Sequence, residues 1–184
     1  MEGVIKREGE LEEELNLSTP EIDEFPQIIE DEGTEKTFLT REHVSYKDSL
    51  DKPTGGVGHL LTKAEQKEYP EGEVIPQEQV DAWFEKDKTE ALKDTERFLK
   101  GLAVPTEVRA IVTNMVFNIG LTRLRGFKRF KSALEKSDWE TAAKEMVDSK
   151  WFRQVGRRAR RLVRRMNSVA GIDDSNIIQT VRKG

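Results

Sequence analysis

The chain has 184 residues, of which 36% are charged and 35% hydrophobic, with two histidines and no cysteine. Lack of cysteine excludes a disulfide framework, a CxxC redox centre and any thiolate metal site. No apolar run approaches the roughly 18 residues of a membrane span, and the acidic N-terminus lacks the apolar stretch of a secretory signal. The formal net charge of −4 conceals three zones. Residues 1–26 carry nine acidic and two basic side chains, residues 27–120 carry 19 and 12, and residues 121–184 carry 7 and 17. A polarity of this kind points to a partner or substrate with a charge of its own.

In chain order, residues 1–26 read as an acidic, extended or mobile arm, with Glu10, Glu12, Glu13 and Glu14 followed by a Ser-Thr-Pro break. Such a segment holds too few apolar side chains to bury a core. Phe25 to Glu32 predicts a short helix with Ile28 and Ile29 on its apolar face. Phe38, Leu39, Val44 and Tyr46, interrupted by turns at Asp48 to Asp51 and at Pro53-Thr54-Gly55-Gly56, predict short antiparallel strands. A long helix opens at Pro76, runs through Leu99 and stops at Gly101. Its charged middle, Glu85 to Glu90, suits a helix that crosses between two lobes. Val108, Ile111, Val112, Met115, Val116 and Ile119 recur at helical spacing up to Gly120. Shorter helices follow around Phe127–Leu134, after a cap near Ser137, and over the segment that carries seven arginines between Arg153 and Arg165. The fold class is α+β, mostly α: a small lobe over 27–75, a linking helix over 76–100, a helical lobe over 101–171 and a tail over 172–184.

Two carboxylates on opposite sides of a cleft can break a glycosidic bond, one as acid and the other by activating water. Glu32 before Gly33, Asp48 at a strand end and Thr54 beyond the turn form one such set, although 35 acidic residues offer many pairs. Order and context narrow the choice. Asp31-Glu32-Gly33, Tyr46-Lys47-Asp48 and Thr54-Gly55-Gly56-Val57-Gly58-His59-Leu60-Leu61-Thr62 resemble the phage-type lysozymes, the family of the T-even phage lysozyme and related endolysins and tail lysozymes. The resemblance continues through Asn114 to Gly120, Trp139 to Ala143, Ser149 to Phe152 and Arg158 to Arg161.

That resemblance implies a two-lobed lysozyme fold and a muramidase that cleaves the β-1,4 bond between N-acetylmuramic acid and N-acetylglucosamine in peptidoglycan. It implies that Glu32 is the general acid, kept protonated by apolar burial. Asp48, with Thr54, would orient the attacking water in an inverting reaction. Leu60 and Phe117 would line the saccharide cleft, and Arg158 would pair with Glu32; no metal or cofactor is implied. The spacing from Glu32 to Asp48 is longer than the family's, which leaves Glu30 and Glu35 as rivals for the acid role. Asn118 stands where the family has glutamine, and Phe130 and Glu145 replace small or amide residues at saccharide-contacting positions.

His59 reads as a structural hydrogen-bond or salt-bridge partner and His43 as solvent-exposed; Trp83, Trp139 and Trp151 read as core. The arginine cluster suits attraction to an anionic cell wall better than nucleic acid, because no nucleic-acid-binding motif accompanies it. The expected partner is peptidoglycan, with phage tail or baseplate proteins as candidates for the acidic arm. A lytic endolysin held in the host cytoplasm, a virion-associated lysozyme and a non-catalytic wall binder all remain open.

Overall fold

The computed structural model describes residues 26–28, 42–48 and 51–172. The acidic arm, Glu32 with its rivals Glu30 and Glu35, the strand expected around Phe38 and Leu39, and the tail beyond Ile172 lie outside the described residues. Pro26 to Ile28 are helical, with Ile28 fully buried.

The small lobe is built on tight turns. Strands β2 (Tyr46–Lys47), β3 (Pro53–Gly55) and β4 (His59–Leu60) form an antiparallel meander, with Tyr46 opposite Thr54 and Thr54 opposite Leu60. Gly55 and Gly56 allow this meander to press against the long helix. A Cβ at Gly55 would lie 2.7 Å from Ile75 and 3.2 Å from Trp83, and Gly56 adopts a φ of 54° with Val80 beside it. Strand β1 (His43–Val44) pairs with a later strand, β5 (Val74–Ile75), with His43 opposite Ile75. That pairing buries His43, so the exposed position expected for it is incorrect. Between β4 and β5 lies helix α1 (Lys63–Glu68), started by a capping box in which Thr62 and Glu65 satisfy each other's backbone N–H groups.

Helix α2 (Gln77–Leu99) begins after Pro76 and ends at Lys100 in the left-handed region, with a φ of 51°. Its first half gives Val80 and Trp83 to a cluster with Val57, Leu61 and Ile75. Its second half gives Ala91, Phe98 and Leu99 to the larger core. One helix thus serves two cores, with charged residues between them.

Helix α3 (Thr106–Leu124) is buried along Val108, Ile111, Val112, Met115 and Val116. It is interrupted at Gly120, whose φ of 76° and ψ of 155° break the helical path where the apolar periodicity stops. Helices α4 (Lys128–Glu135), α5 (Trp139–Val147), α6 (Lys150–Val155) and α7 (Arg157–Val169) close around it. The cap of α5 is Asp138, whose carboxylate accepts from the Thr141 N–H at 3.0 Å, rather than Ser137. On α7, Ala159, Leu162, Val163 and Met166 are buried, while Arg157, Arg160 and Arg164 are exposed. The arginine-rich segment is therefore amphipathic and packs as an ordinary core helix. The whole is an α+β, mostly α, two-lobed lysozyme-like fold.

Candidate active site

A cleft of about 2140 Å³ lies between the lobes. Its small-lobe wall comes from β2, the β2–β3 turn, β3 and β4; the rest of the lining comes from α2 and from α3 to α7. Of the residues singled out in the sequence, the cleft brings together Asp48, Thr54, Leu60, Phe117 and Arg158. Glu32 is outside the described residues.

Asp48 follows β2 directly, so the turn fixes its backbone. Its N–H donates to the Lys52 carbonyl at 3.0 Å, and its carbonyl accepts from the Asp51 N–H at 2.9 Å. Asp51 takes a left-handed φ of 60° to close the turn. The Lys52 N–H also donates to Asp48 Oδ1 at 2.9 Å, which orients the carboxylate. Thr54, two residues on, donates its hydroxyl hydrogen to the Lys52 carbonyl at 2.9 Å. With that hydrogen committed, the hydroxyl oxygen can act towards the cleft only as an acceptor. Asp48 and Thr54 are thus two acceptors held by one turn.

Leu60, on β4, is 52% exposed and lines the cleft. Phe117 faces the cleft from the last turn of α3 before the Gly120 break, and its ring centroid lies 6.0 Å from that of Phe84 on α2. Two apolar groups on opposite walls suit the flat faces of pyranose rings. Arg158 is buried on α7 and lines the same cleft.

Lys52, Glu90 and Asp94, which no sequence motif singles out, also line the cleft, as does Arg161 of the arginine motif. Glu90 and Asp94 stand four apart on α2, so helical spacing was the available signal, obscured by the many acids of that helix. The cleft lining thus carries both signs, with Asp48, Glu90, Asp94, Glu145 and Asp148 among the acids and Lys52, Arg158 and Arg161 among the bases.

Behind the hairpin, His59 is held between two carboxylates. Its Nδ1 lies 2.8 Å from Asp87 Oδ2 and its Nε2 lies 3.4 Å from Glu65 Oε2, while its ring stacks on Trp83 at 4.5 Å. Burial alone would lower its pKa, but hydrogen bonding and charge from Asp87, with help from Glu65, raise it above the ordinary value. For Glu65, burial acts upward, yet the Thr62 hydrogen bonds and His59 lower it overall. His59 is not among the residues that line the cleft; it fastens the hairpin to α1 and α2. Among the described residues, no group of three His, Asp or Glu stands together as a metal site, and no helix is long and apolar enough to cross a membrane.

The phage lysozyme family model matches residues 36–168, a segment that begins just after Glu32. The probable T4-type lysozyme 2 of Dictyostelium discoideum is 28% identical over 139 residues, covering 64% of this chain and 82% of the relative. The probable T4-type lysozyme 1 of the same organism is 28% identical over 142 residues, with the same coverage. A family match across most of the sequence, taken with a cleft flanked by the hairpin and the helical lobe, establishes that this chain belongs to the phage lysozyme family.

Proposed function

We propose that the protein is a muramidase that hydrolyses the β-1,4 bond between N-acetylmuramic acid and N-acetylglucosamine in peptidoglycan, with inversion at the anomeric carbon. The observation that carries this reading is the pairing of Asp48 and Thr54 as fixed acceptors on the wall of an open interlobe cleft. A water between them donates a hydrogen bond to each and turns a lone pair towards the anomeric carbon. As the new C–O bond forms, Asp48 takes the proton from the water's O–H. Glu32 gives its proton to the departing glycosidic oxygen, so that leaving-group departure and water attack occur on opposite faces of the sugar. An inverting pair needs carboxyl groups roughly 6.5–9.5 Å apart to admit that water. Arg158 is the charge partner of Glu32 in this scheme, and Leu60 and Phe117 hold the sugar faces.

Electrostatics supports a wall polymer as substrate. The exposed arginines of α7 give the helical lobe a positive surface, and peptidoglycan carries carboxylates on its lactyl and peptide groups. Release of reducing ends from purified sacculi tests the reading. The parent protein releases them, Glu32→Gln does not, and the first-formed product is the α-anomer by NMR. Turnover by Glu32→Gln at the parental rate would overturn the acid assignment, and a β-anomeric product would overturn inversion.

A further inference from the structure

Several charged side chains of the described surface have a counter-charge close by, as in Lys47 with Asp51, Arg97 with Asp94 and Lys144 with Glu140. The arginine-rich helices differ, because neither α6 nor α7 contains an acidic residue. Arg165 pairs with Glu107 of α3, and Arg158 and Arg161 line the cleft. Arg153, Arg157, Arg160 and Arg164 are exposed, and among the described residues none of these four makes an ion pair. Arg157, Arg160 and Arg164 stand at i, i+3 and i+7, within about one sixth of the helix circumference and along about 10 Å of its length. Burial of Leu162, Val163 and Met166 on the opposite face fixes that row in place. Like charges at three- and four-residue spacing repel, so the row is stabilised by an anionic segment laid along it.

The same chain supplies such a segment. Residues 1–26 carry nine acidic and two basic side chains, with Glu10, Glu12, Glu13 and Glu14 inside five residues. From Glu10 to Pro26 the chain can span up to about 55 Å, and a body the size of residues 27–171 has a radius of gyration of about 15 Å. Reach therefore does not keep the arm from α7. Tethering sets an effective concentration on the order of millimolar, so even weak ion pairing populates the contact. We propose that the acidic arm docks on the arginine row of α7 in its own chain and competes there with anionic surfaces. The inference goes beyond the muramidase reading, since it concerns access to the basic face and not the bond cleaved. A densely anionic surface displaces the arm and a sparsely charged one does not, so the arm sets a charge threshold for binding.

The chain has no cysteine, so Ser18→Cys gives the full-length protein a single attachment point for a nitroxide spin label. At low salt the label is expected to broaden the backbone amide signals of residues 157–164. The broadening should vanish in about 0.5 M salt, where the Debye length is only a few ångströms. It should also vanish when Glu10, Glu12, Glu13 and Glu14 are all changed to Gln. No broadening at low salt overturns the proposal. Broadening seen only between a spin-labelled molecule and an isotopically labelled one places the arm on a second copy and overturns docking within the chain. A second readout is co-sedimentation with purified sacculi at low salt. Neutralising the four glutamates should tighten binding about 3- to 10-fold. Simple repulsion between arm and wall would do the same, so the comparison is repeated with Arg157→Gln, Arg160→Gln and Arg164→Gln combined. Docking predicts that the gain shrinks in that background, and an equal gain in both backgrounds overturns it. The spectroscopic readout involves no glycan, so it decides the docking even where the parent releases no reducing ends and the muramidase reading fails.

Discussion

His59 Nδ1 and Asp87 Oδ2 lie 2.8 Å apart, joining the return strand of the hairpin to the long helix. Because His59 has a raised pKa in the folded protein, its contribution is fully present below its unfolded value of about 6.5 and is lost as pH rises through the raised value. Glu65 has a lowered pKa, so its contribution is present above its unfolded value and is lost as pH falls through the lowered one. Thermal midpoints recorded across pH should pass through a maximum on the acid side of neutrality. His59→Asn should remove most of the decline on the alkaline side of that maximum. An undiminished decline in the variant would assign it to another group.

The turn that holds Asp48 and Thr54 separates chemistry from folding. Asp48→Asn should lower kcat on the order of 10²- to 10⁴-fold. Thr54→Val removes the accepting oxygen and should lower kcat about 10-fold or more, while Thr54→Ser stays near the parent. Circular dichroism and thermal midpoints of the purified variants check that the loss is chemical. Equal kcat in Thr54→Val and the parent would remove the hydroxyl from the mechanism.

Gly55 tests the packing of the hairpin. An alanine Cβ would meet Ile75 Cδ1 at 2.7 Å, Trp83 at 3.2 Å and Leu61 at 3.3 Å, with no space to enter. Gly55→Ala should therefore destabilise the protein by about 1–3 kcal/mol through overpacking, read by denaturant unfolding.

The two faces of α7 should respond differently. Leu162 is fully buried in the larger core, so Leu162→Ala should cost about 2–5 kcal/mol. Arg164 is exposed, and Arg164→Ala should change stability by less than about 0.5 kcal/mol. Combining Arg157→Ala, Arg160→Ala and Arg164→Ala should instead weaken binding to sacculi at low salt, with the difference shrinking as salt is raised. Binding measured across a salt series distinguishes a charged wall-facing surface from an inert one.

The long helices were legible because their apolar residues repeat over several turns; α2 and the first part of α3 carry their periods in full view. The meander was legible through its glycine-rich stretch, but Pro53–Gly55, expected as a turn, is strand β3, and the turn falls on residues 56–58. Helix α1 was not, because none of its six residues is buried and its start depends on the Thr62–Glu65 box rather than on a pattern. Nor was β5, whose two residues are a strand only because β1 pairs with them. His43 illustrates the same limit, since its burial comes from a partner some thirty residues away. At the site, Asp48, Thr54, Leu60, Phe117 and Arg158 could be named from motif order, and they converge on one cleft. The hydrogen bond from the Trp151 indole to Asn118 joins residues distant in sequence, and no local pattern announces it.

The helix that belongs to both cores also acts as a ruler. From Trp83, the last small-core residue on α2, to Ala91, the first in the larger core, the helix advances roughly 12 Å at 1.5 Å per residue. The separation of the two walls is thus counted out in residues of a rigid rod. Removing one turn from this interval would draw the lobes together by about 5 Å, close to the length of one sugar ring, with every core side chain still present. The width of the interlobe gap is written into the charged stretch of α2, where no packing constraint would reveal it.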